Sequence, residues 1–299
     1  MLTNFPNGIT SFGIPITGAS RVDPSGTVYF VDGNCGNDTS DGLSWDYPMK
    51  TLTHAFAVSH ANIASASNRW ARRNTIFIAG DDFAETLVTL PQKTDVIGVG
   101  SSDPYKKACI RGNHAPVNTA MGCRFINVRF RPAASSDLMA LVSTTSGVEF
   151  INCKFDAHYG AFTAPSAIQA TGVQFLKIQD CEFIGAFSGD TIDIAAGRVD
   201  QLRIVGNTIS GGANDGIVVS GTTTIVQGRM GLIADNYVQV AGFIIKDGDD
   251  NTINVVRNRG VSAGVGTANA YEIDEGLAVD NVFTYNDGTS VRVPIIPSA

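Results

Sequence analysis

The residues with the clearest chemical potential in this sequence are aspartates. Asp190 and Asp215 open two similar phrases, Asp190-Thr-Ile-Asp-Ile194 and Asp215-Gly-Ile-Val-Val219. Stacked as strands on adjacent turns, they would bring two carboxylates to about 5 Å, the separation of a retaining glycosidase pair. Asp193 adds a third carboxylate nearby. The same column also takes in Asp137, Ser166, Ala241 and Asn269. That mixture fits a polar strand-entry position, where Asp before Gly or a β-branched residue makes a turn. No histidine or arginine stands in these strands to share the work. Turn chemistry is therefore the expected role, and no catalytic activity is expected.

A second cluster lies upstream, at Asp32, Asn34, Asn37, Asp38 and Asp41. Its oxygens suggest calcium, but Gly36 stands where an EF-hand loop needs an oxygen ligand. Asn, Asp and Gly at this density make a tight surface loop, so no metal is expected. Trp45, just beyond, reads as a packing anchor. His54, His60, His114 and His158 are scattered without ligand spacing, and no cofactor is expected. The five cysteines, Cys35, Cys109, Cys123, Cys153 and Cys181, are odd in number and form no CxxC pair. They read as reduced thiols, with Cys153 and Cys181 as buried neighbours.

These groups need a scaffold, and composition allows one. The chain has 299 residues, 43% hydrophobic and only 16% charged, enough for a sizeable core. The net charge of −7 argues against a broad nucleic-acid surface. Arg69, Arg72 and Arg73 form one small basic cluster, expected as a solvated helix end. The first residues, MLTNFPNGITSFGIPITG, have no basic stretch or long apolar run, and no signal peptide is expected. No segment approaches the ~20 apolar residues of a membrane helix.

The scaffold shows itself as a repeat. Phe125-Ile-Asn-Val-Arg-Phe130 returns as Phe150-Ile-Asn-Cys-Lys-Phe155, Ile178-Gln-Asp-Cys-Glu-Phe183 and Ile204-Val-Gly-Asn-Thr-Ile209. Looser copies are Ile233-Ala-Asp-Asn-Tyr-Val238, Val255-Val-Arg-Asn-Arg-Gly260 and Ala278-Val-Asp-Asn-Val-Phe283. The steps are 25, 28, 26, 29, 22 and 23 residues. Such drift fits a solenoid whose loops vary while its strands stay stacked. The middle position is Asn, Asp, Gly or Arg, a left-handed corner. The next position, Cys153, Cys181, Asn207, Asn236, Asn258 and Asn281, should stack as a ladder. A second column aligns Met139 and Leu141 with Ile168 and Ala170, Ile192 and Ile194, Ile217 and Val219, Phe243 and Ile245, and Tyr271 and Ile273.

The expected fold is all-β: a right-handed single-stranded parallel β-helix of about nine to ten coils, roughly 45 Å long, with a short N-terminal capping helix. Short strands are expected at 75–78, 86–90 and 95–98. The helix is expected over residues 48–60, opened by Pro48, with Met49, Leu52, Ala55 and Phe56 on one face. The division is an N-terminal attachment arm at 1–27, an entry strand, loop and capping helix at 28–74, and the body at 75–299.

The columns resemble the pectate-lyase-like β-helix superfamily over residues 75–285. Val28-Tyr-Phe-Val-Asp32, Gly36-Asn-Asp38, Ser40-Asp-Gly-Leu-Ser-Trp45 and Lys50-Thr-Leu52 are similar to the entry segment of many such proteins in phage and bacterial genomes. The opening Asn4-Phe-Pro-Asn-Gly-Ile-Thr-Ser-Phe-Gly-Ile-Pro15 is similar to β-helix proteins encoded among phage head and tail genes. The resemblance implies a component of a tailed-phage virion, assembled in the host cytoplasm. It implies a homo-trimer that docks onto capsid or tail proteins through its arm, with neither nucleic acid nor membrane as partner. Phe5, Ile9, Phe12 and Ile14 would carry that attachment. Polygalacturonase-like sites need clustered Asp with His and a basic residue; pectate-lyase-like sites need calcium-binding carboxylates and an Arg base. Neither set can be placed here. The expected role is head decoration or cementing, with a glycan-binding or glycan-cleaving tail appendage as the alternative.

Overall fold

The computed structural model describes residues 10–11, 14–15, 26–80, 82–100, 108–116, 121–135, 137, 147–158, 162–171, 174–195, 201–219, 231–247, 253–263, 271–273, 278–285 and 290–292. Nearly all of it is parallel β-structure wound as a β-solenoid. The first sheet stacks ten strands: Val28–Asp32, Asn74–Ala79, Thr94–Gly98, Arg124–Ile126, Glu149–Ile151, Lys177–Gln179, Arg203–Val205, Gly231–Ala234, Ile253–Val256 and Ala278–Val279. The second sheet stacks nine parallel strands, from Phe83–Ala84 to Val282–Tyr285, and Ser290–Arg292 adds a tenth, antiparallel, at its end. A third, five-stranded sheet holds Ile168–Thr171, Ile192–Ala195, Ile217–Val219, Ile245–Asp247 and Tyr271–Ile273. No helix among the described residues is long and apolar enough to cross a membrane.

The repeat folds this way because in-register parallel stacking places the same repeat position above itself at every turn. Phe125 pairs with Phe150, then Ile178, Ile204, Ile233, Val255 and Ala278 follow in one column, and all are fully buried. The facing column on the second sheet runs Phe130, Phe155, Phe183, Ile209, Val238, Gly260 and Phe283. Rings of one column stack, with Phe155 and Phe183 4.8 Å apart and only 4° from parallel. Rings of facing columns meet edge-on, as Phe125 and Phe130 do at 5.4 Å. Both are favoured aromatic geometries. Gly260 interrupts its column because a Cβ there would stand 2.7 Å from Ile244 Cγ2, and Ile244 fills the space instead.

All seven corner residues are left-handed, with φ between 51° at Asn152 and 71° at Gly206. Arg257 is included, at 55°, and its guanidinium clamps the Asp235 carboxylate with bonds of 2.8 and 2.7 Å. After the corner comes the expected ladder. Asn207, Asn236 and Asn258 each donate Nδ2 to the next Asn Oδ1, at 2.9, 2.9 and 3.0 Å. Each Nδ2 also reaches a carbonyl, and each Oδ1 along the ladder also accepts the preceding backbone N–H. Buried amides are stable only when satisfied in this way. Above them Cys181 N donates to Asn207 Oδ1 at 2.9 Å, and the free thiols of Cys153 and Cys181 point at the Phe125 and Phe150 carbonyls.

Three local expectations are corrected. The helix spans Leu52–Ser65, not 48–60. Its N-cap is Thr51, and the Glu85 carboxylate takes the Leu52 and Thr53 N–H groups at 2.8 Å each, satisfying donors that a helix start leaves free. Met49 instead forms an isolated parallel bridge with Val31. The helix packs on the first strands of the stack and buries Leu52, Ala55, Phe56, Ser59 and Ile63. The strand expected at 86–90 is Phe83–Ala84, because Glu85 is drawn to the helix and Leu87 N–H is held by His114 Nδ1 at 3.2 Å. The arginine cluster is a solvated helix end only at exposed Arg69; Arg72 reaches Asn62 Oδ1 at 3.3 Å. Arg73 donates to buried Asp95 and to the Gly122 carbonyl, both at 2.8 Å.

Candidate functional site

The aspartate cluster sits where the chain enters the third sheet. Here the register differs from the expected one by two residues: Ile217 pairs with Ile245, and Val219 with Asp247. The column therefore reads Ser166, Asp190, Asp215 and Phe243, and Ala241 leaves it. The cause is a hydrogen-bond lock. Gly216 N–H donates to Phe243 O at 2.8 Å, and Asp215 Oδ1 accepts Phe243 N–H at 2.6 Å. A side chain at Gly242 would overlap Asp215 Oδ1, only 2.1 Å from an ideal Cβ.

Asp190 does the same one turn earlier. Its Oδ1 accepts Asn214 Nδ2 at 2.6 Å and Asp215 N–H at 3.3 Å. Each carboxylate thus holds the backbone that begins the next coil. Asp193, on the outer row of the third sheet, accepts Gln169 Nε2 at 3.1 Å. That row continues through Val218 to Lys246, whose Nζ lies 5.4 Å from the Phe243 ring centre.

Burial pushes the Asp190 carboxyl above the usual range, the nearby charges of Asp215 and Asp193 add to this, and Lys246 opposes it. The sequence placed no cation near these carboxyls. Lys246 arrives through the two-residue change of register, which sets it opposite Asp193's row and Phe243 below Asp215. The cluster gathers a carboxyl biased toward its protonated form, a second outward carboxylate, an amide and a lysine. Asn214, Phe243 and Lys246 were not identified from sequence, because only the register shows that they belong here.

The upstream oxygens are engaged in loop construction. Asp32 Oδ1 accepts the Asn34 and Cys35 N–H groups, and Asp41 Oδ1 accepts that of Leu43. Asp38 receives Lys50 N–H, Thr51 N–H and the Thr51 hydroxyl. Burial acts to raise the Asp38 carboxyl, and these bonds outweigh it, leaving it below its usual value. Among the described residues no group of three or more His, Cys, Asp or Glu side chains could hold a metal ion. Trp45 packs its ring 4.8 Å from that of Phe30 and stays 43% exposed. His114 is buried, and burial drives it from 6.5 down to about 4 against the opposing charge of Asp137. Met139 and Leu141, like Asn269 and the attachment residues Phe5, Ile9 and Phe12, lie outside the described residues. Ile14 pairs with Ser11 in a two-residue antiparallel strand. A β-solenoid serves enzymes and structural proteins alike. In comparisons with family models, curated proteins and solved structures, nothing matches this chain.

Proposed function

We propose that this chain is a structural component of a tailed-phage particle, a head-decorating or cement-like protein with no glycan-cleaving activity. The observation that supports a structural role is the use of the Asp column. Asp190 and Asp215 each secure the entry of the following coil, a task that explains their repetition and engages the Oδ1 oxygen of each carboxyl. The particle assignment rests on the likeness of residues 4–15 to openings of phage β-helix proteins. In this reading the partners are capsid or tail proteins and sister chains of a homo-trimer. Locating the protein on intact particles by labelled imaging tests the assignment. A chain lacking residues 1–25 should fold and stay soluble but fail to join particles, and its normal incorporation would end the attachment role.

A tail appendage that cleaves surface glycan is the second reading, favoured by one observation: the Asp190 carboxyl is raised while Asp193 and Lys246 stand beside it. Purified protein should release neither reducing ends nor unsaturated sugars from host polysaccharide. Release that disappears in Asp190→Asn or Asp215→Asn would establish the appendage instead.

A further inference from the structure

The three outer faces of the solenoid differ in kind. On the second sheet the row facing away from the core, with Cys109, Arg129 and Lys154 buried and Glu182, Thr208, Tyr237 and Arg259 exposed or partly so, is mostly polar. It forms ion pairs along the stack, Arg129 with Asp156 and Lys154 with Glu182. On the first sheet the outward row is Phe30, Phe77, Ile97, Ile126, Ile151, Gln179, Val205, Ala234, Val256 and Val279. Apart from Gln179 it is apolar over all ten strands. All but Ala234 keep partial exposure, while the inward residues beside them are buried. Trp45 extends the row at its upper end against Phe30. Parallel sheets are apolar on both sides when both sides are covered, and continuous apolar surface on this scale marks an interface.

We infer that this face packs against other copies of the same chain, side by side and in the same direction, around an axis parallel to the stack. The inference deepens the trimer part of the proposal above by naming its surface. The edges of the row select the occupant. One edge carries Asp95, Arg124, Glu149, Lys177 and Arg203, and the other is the left-handed corner, with Asp180, Asp280 and an Asp235 already matched by Arg257. Asp95 is matched within the chain by Arg73, and Arg124 by Glu149. Lys177 reaches Glu149 only at 4.0 Å, and exposed Arg203 has no ion pair among the described residues. In a ring of parallel copies the first edge of one chain abuts the corner edge of the next at equal height. Lys177 then faces the neighbour's Asp180, because both flank the strand Lys177–Gln179. Arg203, one level on, falls beside the neighbour's Asp180 as well. The row and its edges cover roughly 650 Å² per copy, near the ~800 Å² per partner of a specific interface.

The test is the mass of the full-length protein by sedimentation, across a range of concentrations. An oligomer is expected. Ile126→Lys with Ile151→Lys should reduce it to monomer with unchanged circular dichroism and melting midpoint. Two surface changes provide a second check that spares the fold. Lys177→Glu and Asp180→Lys should each weaken association at least tenfold, and the two together should restore it. A monomeric wild type would overturn self-association altogether. An oligomer indifferent to all four substitutions would leave a trimer possible and overturn this face. Association that appears only after removal of residues 1–25 would assign the row to the chain's own arm and also overturn the inference. None of these outcomes depends on whether the protein resides on a particle.

Discussion

The upper and lower coils of this solenoid are built on one plan and held together by different means. From Phe125 to Phe183 the core is a double stack of phenylalanines, and the column after the corner is Val128, Cys153 and Cys181. From Ile204 to Ala278 the core shrinks to Ile, Val, Gly and Ala until Phe283 closes the second column, and the column after the corner becomes Asn207, Asn236, Asn258 and Asn281. Where rings fill the interior, burial supplies the stabilisation and a thiol or valine is enough at the corner. Where the side chains are small, buried amide bonds tie each coil to the next. The difference shows that a solenoid can exchange one source of coil-to-coil cohesion for another without changing its cross-section.

The largest effect should come from the upper stack. Phe150→Ala should cost about 3–5 kcal/mol in equilibrium unfolding, as for other buried aromatics. A loss below about 1 kcal/mol would show that ring burial does not hold these coils. Next comes the ladder. Asn236→Ala removes the side-chain acceptor of Asn207 N–H and one bond each from Asn207 Nδ2, the Ile204 carbonyl and Asn258 Oδ1, and should cost about 3 kcal/mol, since unsatisfied buried polar groups cost ~1–3 kcal/mol each. The probes should also differ. The chain's two tryptophans, Trp45 and Trp70, both lie at the upper end. Asn236→Ala should therefore lose circular dichroism before tryptophan fluorescence changes, as expected when stability is local to neighbouring coils. Phe150→Ala should shift both signals together.

A comparable but pH-dependent effect belongs to His114, which packs beside Phe130 at the top of the stack. Its folded-state pKa is depressed from 6.5 to about 4, so the folded form binds the proton less readily than the unfolded chain. The stabilisation is fully present above pH 6.5 and is lost as pH falls from there through 4. It amounts to about 3 kcal/mol at most by linkage. Melting curves over this range should show the loss in the wild type and a smaller one in His114→Gln. Equal slopes would remove His114 from the account. The smallest effect should follow Cys181→Asn, which extends the amide ladder by one coil and should alter stability by less than about 1 kcal/mol. A large loss would show that the thiol is there for space rather than by exchange with an amide.

Much of this molecule could be read from its sequence, and the reason is physical. In an in-register parallel stack each turn repeats one local problem, so the answers recur at one period. The inward column from Phe125 to Ala278, the left-handed corners and the Asn ladder follow from residue type and spacing alone, since each needs only its own strand, turn or next coil. The tertiary structure decided what depends on distant hydrogen bonds. Asp215's hold on Phe243 N–H displaced one coil of the third sheet, Ile245–Asp247, by two residues and brought Lys246 toward Asp190. Glu85, more than thirty residues downstream, satisfied the donors that let the helix begin at Leu52 instead of Pro48. The apolar outer row of the first sheet also emerged only from the assembled register, because one residue per coil forms a continuous surface only once ten strands are aligned.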